Sequence, residues 1–205
     1  MATLNNAEIH PQLIDGLTVY ELGHGIGQDE TVLLLPDPAQ SAAAASAGSN
    51  LALLLVRLGK RVITFDPPTT DLIGPALISL DALCPEGSAD VVTWGHMARH
   101  ALFLAQSHPD RVTRLALIGD LPTGTEESSW HQIAVPLLIY LGETGPSTLA
   151  RAHTLAEDVP GAQVIVNFED GPNPIDHAPI HVGAALRTFL EQPDPRPGKI
   201  ISVEI

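Results

Sequence analysis

Residues 89–120 read A-D-V-V-T-W-G-H-M-A-R-H-A-L-F-L-A-Q-S-H-P-D-R-V-T-R-L-A-L-I-G-D, and few folds accommodate that order. A β-branched run at residues 91–93 ends in a Gly-His turn, Gly95-His96, which opens a helical stretch. Apolar Ala101, Leu104 and Ala105 keep helix spacing there. From Leu115 to Ile118 the apolar run is continuous, as expected of a strand buried on both faces. Strand, sharp turn, helix and strand make one right-handed crossover unit of a parallel sheet. The fold class is therefore α/β.

A parallel sheet covered by helices needs a large core. The chain has 205 residues, 44% of them apolar, enough for one such domain. That domain is read over residues 1–192. Residues 193–205 form a tail, a Pro-rich P-D-P-R-P-G linker and then an alternating run at 199–205. Such a run adds an edge strand or crosses to a second copy, which makes a homodimer through the tail an expectation. No apolar run approaches the roughly 20 residues of a membrane span. The polar start, residues 1–11, lacks the basic-then-apolar order of a signal peptide. Cys84 is the single cysteine, which excludes an internal disulfide, reads as a small core filler and fits a reducing compartment. A net charge of −14 opposes nucleic acid or an anionic membrane as partner. A cytoplasmic protein acting on a small molecule is expected.

In chain order, residues 13–22 (L-I-D-G-L-T-V-Y-E-L) are two strand-like runs around Asp15-Gly16, a hairpin signal. Gly23-His24-Gly25-Ile26-Gly27 precedes a strand rather than leading from one into a helix, so it is not read as a phosphate loop. Residues 31–35 (T-V-L-L-L) form a buried strand running into Pro36-Asp37-Pro38. An Ala-rich helix at 41–58 ends at Gly59, and residues 61–65 are the next strand. A short helix at 71–83 leads to the central unit. Beyond it come a polar loop at 120–132, a strand at 133–141, a helix at 147–158, a strand at 163–168, a loop at 169–179 and a last helix at 180–191.

D-V-V-x-x-G-H, followed by A-Q-S-H-P-D-R-V and L-A-L-I-G, resembles the centre of an α/β-hydrolase. There the strand ends in G-x-S-x-G, the elbow that lifts a nucleophilic serine above the sheet. The resemblance extends over residues 13–191. It implies a mostly parallel sheet of about seven or eight strands with helices on both faces, an N-terminal hairpin and, since residues 120–132 are short, no lid domain.

The residues that the resemblance would make catalytic are substituted. Matching Gly95-His96 to the family's G-H puts Met97 in the serine's place, while matching the following helix without gaps puts Gly95 there. Gly145 falls at the acid position and Pro172 at the histidine position. The oxyanion turn reads Pro36-Asp37 instead of His-Gly; Asp37 adds a negative charge and Pro38 has no N–H. Ordinary triad hydrolysis lacks its parts.

Ligands of open α/β sheets bind outside the carboxyl ends of the strands. The tips there supply Asp37, Asp66, His96, Asp120, Glu143 and Asp176-His177. His177 with Asp120 can act as base and orienter without a nucleophile. Alternatively, Asp120 caps a turn and His177 caps the last helix. His96 lies near a helix N-terminus, which disfavours an imidazolium and suits a base or hydrogen-bond donor. Arg99, one turn on, fixes an anionic group or is simply solvated. Trp94 and Trp130 wall an apolar pocket or fill the core. His96-x-x-x-His100 and His177-x-x-x-His181 each suggest two imidazoles on one helix face, but no second-shell pattern accompanies them and no metal or cofactor is implied.

The expected activity is non-covalent acid–base chemistry (cyclisation, isomerisation or elimination, as in secondary-metabolite biosynthesis) on a small apolar or acyl-like molecule. The expected catalytic groups are His96, His177, Asp120 and Asp37, with Pro36, Trp94, Gly95, Met97, Arg99 and Trp130 around the substrate. One alternative is a catalytically silent module that binds a ligand or a protein. Another is a hydrolase using metal or water directly.

Overall fold

The computed structural model describes residues 9–23, 31–36, 50–67, 71–84, 87–122, 130–192 and 203–204. The chain divides into two compact units, Met1–Asp90 and Val91–Ile205. Asp37, much of the Ala-rich stretch before residue 50, and residues 193–202 of the tail lie outside the described residues.

In the first unit the strands run in the order β1-β2-β4-β3. β1 (Ile9–Ile14) and β2 (Leu17–Leu22) form the expected hairpin, antiparallel with Ile14 opposite Leu17. Its two-residue turn has positive φ at both positions, Asp15 at 51° and Gly16 at 81°. That is the twist-matched turn Asp-Gly favours. β2 runs antiparallel to β4 (Arg61–Phe65), and β4 runs parallel to β3 (Thr31–Leu34). All four residues of β3 and all five of β4 are buried, which explains their unbroken apolar or β-branched patterns. The two charged residues in this layer answer each other, Arg61 Nε donating to Glu21 Oε1 at 2.8 Å. Helix α1 (Asn50–Arg57) closes with Gly59 at φ 81°, Gly59 N–H donating to Val56 O and Lys60 N–H to Leu55 O. This pair of bonds is a Schellman stop, which a glycine fits without strain. α2 (Ile73–Leu83) follows; both helices pack on β4.

The second unit carries the order β5-β6-β7-β8-β9, β5 (Ala89–Trp94) starting at the boundary. A 3-10 turn, Gly95–Met97, leads into α3 (Ala98–Ser107), whose Ala101, Leu104 and Ala105 are buried as their spacing predicts. β6 (Val112–Ile118), β7 (Leu137–Leu141) and β8 (Gln163–Val166) are parallel neighbours. β7 is shorter than the apolar run at 133–141 suggests. Residues 130–132 form a turn closed by Ile133 N–H to Trp130 O, and Pro136 has no N–H for a ladder. Residues 119–136 join β6 to β7, too few for a separate lid domain; 123–129 lie outside the described residues. α4 (Pro146–Asp158) packs on β8 and α6 (Pro179–Glu191) on β7. Between β8 and α6 lie a 3-10 turn (Phe168–Asp170) and a single helical turn, α5 (Pro174–His177). The tail adds β9 (Val203–Glu204), parallel to β8.

Candidate functional site

The strand tips of the second unit are marked by glycines. β5 ends extended at Trp94 (φ −134°, ψ 156°), and Gly95 then turns to φ 59°. L-residues avoid that region, so the chain reverses sharply here at low cost only because Cβ is missing. A Cβ placed on Gly95 would meet nothing within 4 Å. Gly119, after β6, has φ 84°, and its own Cβ would come 3.9 Å from Gly95 N. Gly119 N–H donates to Tyr140 O at 2.8 Å, continuing the edge to β7. After β7, Gly142 lies so close to the loop beyond β8 that a Cβ would stand 2.1 Å from Gly171 O. Glu143 N–H donates to that oxygen at 2.8 Å. The tips of β5 to β8 are thus drawn together along a row of closely approaching backbone.

Gly95, rather than Met97, carries the positive φ of the sharp strand-to-helix turn after β5. Met97 is 2% exposed and belongs to the core. His96 is exposed directly after the turn and Arg99 is exposed on α3. Trp94 is half-buried and Trp130 buried. Asp120 is exposed just past Gly119. Pro36 is buried at the end of β3 in the first unit, and Asp37 lies outside the described residues.

His177 ends α5 with its ring over Gly171, whose Cβ would sit 3.3 Å from the ring Cγ. Its Nδ1 lies 2.8 Å from Asn173 O. A carbonyl only accepts, so Nδ1 donates, and in the neutral ring Nε2 carries the lone pair. His177 and Asp120 are not joined: the imidazole is oriented by a backbone carbonyl, not a carboxylate. Nor do His177 and His181 share one helix face. Ala178 (φ −138°, ψ 56°) breaks the helix, as the residue before Pro179 is biased to do. Among the described residues, no three His, Cys, Asp or Glu side chains gather as a metal site would require.

A second group at these tips was not anticipated from the sequence. Asp170 is 1% exposed. Its Oδ2 accepts a hydrogen bond from the Tyr140 hydroxyl, and its Oδ1 lies 2.6 Å from His181 Nδ1. Burial, followed by the hydrogen bond to Asp170, pushes the Tyr140 phenol well above its ordinary value of 10.0. Asn167 completes the group: its oxygen accepts from Glu169 N–H at 3.2 Å and its Nδ2 lies 3.3 Å from His181 Nδ1. Two cues pointed this way: an acidic residue flanked by Gly171 after a strand, and Pro179, which resets the helical register of His181.

No family model matches this chain, and no curated protein matches its sequence. Solved structures do. A CIB-like hydrolase from Thermoplasma acidophilum superposes with a TM-score of 0.71 at 12% identity, over 89% of this chain and 97% of that one. The enol-lactonase from Burkholderia xenovorans LB400 gives 0.67 at 13% identity, over 89% and 100%. A membrane phospholipase A, a bacterial virulence factor, gives 0.71 at 14% identity, over 92% and 87%. Such identities speak to architecture alone. Together with the parallel strands, the hairpin and the Gly95 turn, they show that this chain has the α/β-hydrolase fold.

Proposed function

We propose that the protein carries out non-covalent acid–base chemistry on a small apolar or acyl-like molecule at the carboxyl tips of β5 to β8. Cyclisation, isomerisation and elimination all fit, since each needs a proton moved and no acyl-enzyme. The observation that carries this reading is Gly95: the elbow conformation is present, and the residue in it has no side chain. The structural neighbours are described as hydrolases, phospholipase and lactonase. Without a hydroxyl at the elbow, their reaction class transfers only as far as the pocket. His177, held through Nδ1 so that Nε2 faces away from Asn173 O, and His96, beside the turn, are the bases proposed, with Asp120 as an assisting acid.

The test takes two steps. A fluorophosphonate serine probe leaves the wild-type protein unlabelled; labelling ends the reading. Against a panel of small esters, lactones and β-dicarbonyl compounds, His96→Ala or His177→Ala then lowers any non-hydrolytic turnover by about 100-fold or more. Both are surface residues, so the melting temperature stays nearly constant. Full turnover in both variants removes these two bases.

The silent binding module draws support from one observation, that His177 is held by a carbonyl and so lacks a carboxylate to stabilise its imidazolium. It requires saturable thermal stabilisation by a ligand from the same panel with no product formed.

A further inference from the structure

We propose that His181, oriented by Asp170, is a second proton-accepting site at this edge, serving a small carbon acid with an apolar body. This inference rests on the acid–base reading above and names a base which that reading does not use.

The Asp170 side chain is 1% exposed, whereas that of His181 is 55% exposed. The carboxylate is thus enclosed on the side that orients the ring, and the ring opens outward. Asp170 accepts from Tyr140 at one oxygen, so its other oxygen is left for His181. The 2.6 Å contact to Asp170, shorter than the 3.3 Å contact to Asn167 Nδ2, assigns the ring proton to Nδ1. Nε2 then carries the lone pair. Unlike His177, which is held by a backbone carbonyl, His181 is backed by a carboxylate, the arrangement that stabilises an imidazolium once a proton is taken.

The surroundings indicate the ligand class. Phe168, two residues before Asp170, is 58% exposed, and Ile180, immediately before His181, is 82% exposed. Two large apolar side chains exposed within the same turn-and-helix segment as the base suit a ligand with an apolar body. In the step proposed, the C–H bond of the ligand breaks and its proton goes to Nε2. The electron pair remains on the ligand as an enolate or expels a leaving group. Return of the proton elsewhere completes an isomerisation, and no oxidant, reductant or metal is needed. Asp170 and Tyr140 touch no ligand and act as positioning residues.

The probe is 5-nitrobenzisoxazole, in which loss of the C3 proton breaks the N–O bond and releases a coloured cyanophenolate. The wild-type full chain is expected to open the ring faster than an equal concentration of free imidazole. His181→Ala lowers that rate by about 100-fold while the circular-dichroism spectrum stays that of the folded protein, with a lower melting temperature because Asp170 loses a partner. Asp170→Asn moves the His181 ring proton from Nδ1 to Nε2 in nitrogen NMR spectra and lowers the rate; a tautomer change with the rate kept would leave Asp170 a structural clasp and overturn its positioning role. Tyr140→Phe keeps the tautomer and lowers the rate less. A wild-type rate no better than imidazole, or a His181→Ala rate equal to wild type, overturns the proposal. His177→Ala and His96→Ala are run in parallel. If they lose the rate and His181→Ala does not, the earlier choice of bases stands and this one falls; the reverse pattern retires the earlier choice and keeps this one.

Discussion

Gly95 and Gly142 are both glycines at strand tips, yet they are required for different reasons. At Gly95 the constraint is the backbone alone: φ is 59° and there is open space where a Cβ would go. Gly95→Ala should therefore cost only the left-handed penalty, about 1–2 kcal/mol. At Gly142 the obstacle is another stretch of backbone, Gly171 O at 2.1 Å from the added carbon. Backbone oxygen cannot rotate away as a side-chain end can. Gly142→Ala must push the β7 and β8 loops apart and break the Glu143–Gly171 bond, so a loss above about 3 kcal/mol is expected, as for other overpacked sites. Urea unfolding of the two variants checks the order; a larger loss at Gly95 would mean that the turn is crowded after all. The tolerance at Gly95 also means that a hydroxyl could sit there. Its absence reflects the choice of residue and not a lack of room.

At the scale of elements, the Tyr140–Asp170 bond ties β7 to the turn beyond β8. Its dependence on pH follows from the phenol. Tyr140 is held above its ordinary 10.0, first by burial and then by Asp170, so the folded chain keeps a proton that the unfolded chain loses. This contribution is complete below the unfolded value, near pH 10, and is lost as pH rises through the folded value. Tyr20 shifts the same way, by burial and the nearby Asp66. Melting temperature should therefore fall above about pH 10. Tyr140→Phe should flatten that fall, leaving the part due to Tyr20, and cost about 1–3 kcal/mol at neutral pH because Asp170 loses a partner. An alkaline limb identical to wild type would detach the phenol from stability.

The same elements show what the sequence could reveal. Asp15-Gly16, the buried β3 and β4, and Ala101, Leu104 and Ala105 on α3 were legible because local spacing alone sets them. The elbow was legible only as a choice between Gly95 and Met97, since spacing cannot reveal a positive φ. Tyr140, Asp170 and His181 were not legible as a group. They come from a strand, a turn and a helix, brought together by the β7–β8 pairing, the packing of α6 on β7 and the Gly142–Gly171 approach. Reading His177 and His181 as one face failed for a visible reason, the proline at 179.

For the molecule as a whole, the open question is how its sheet ends. Within the second unit, β9 lies parallel to β8, with Ile165 opposite Val203 and Val166 opposite Glu204. Two paired residues supply few hydrogen bonds against a core that runs through β5, β6 and β7. Deleting residues 193–205 should therefore leave the fold intact by circular dichroism. For a chain of this size each kcal/mol lost is about 2–4 °C of melting temperature, so a fall of a few degrees is expected. What the deletion removes is cover: β8 becomes an open edge, its four residues Gln163–Val166 able to pair with another chain. Self-association measured by sedimentation should rise with concentration in the truncated protein and not in the full chain. If the tail instead crossed to a second copy, truncation would reverse the result, turning a dimer into a monomer. The direction of that change distinguishes a strand that closes its own sheet from one exchanged between partners.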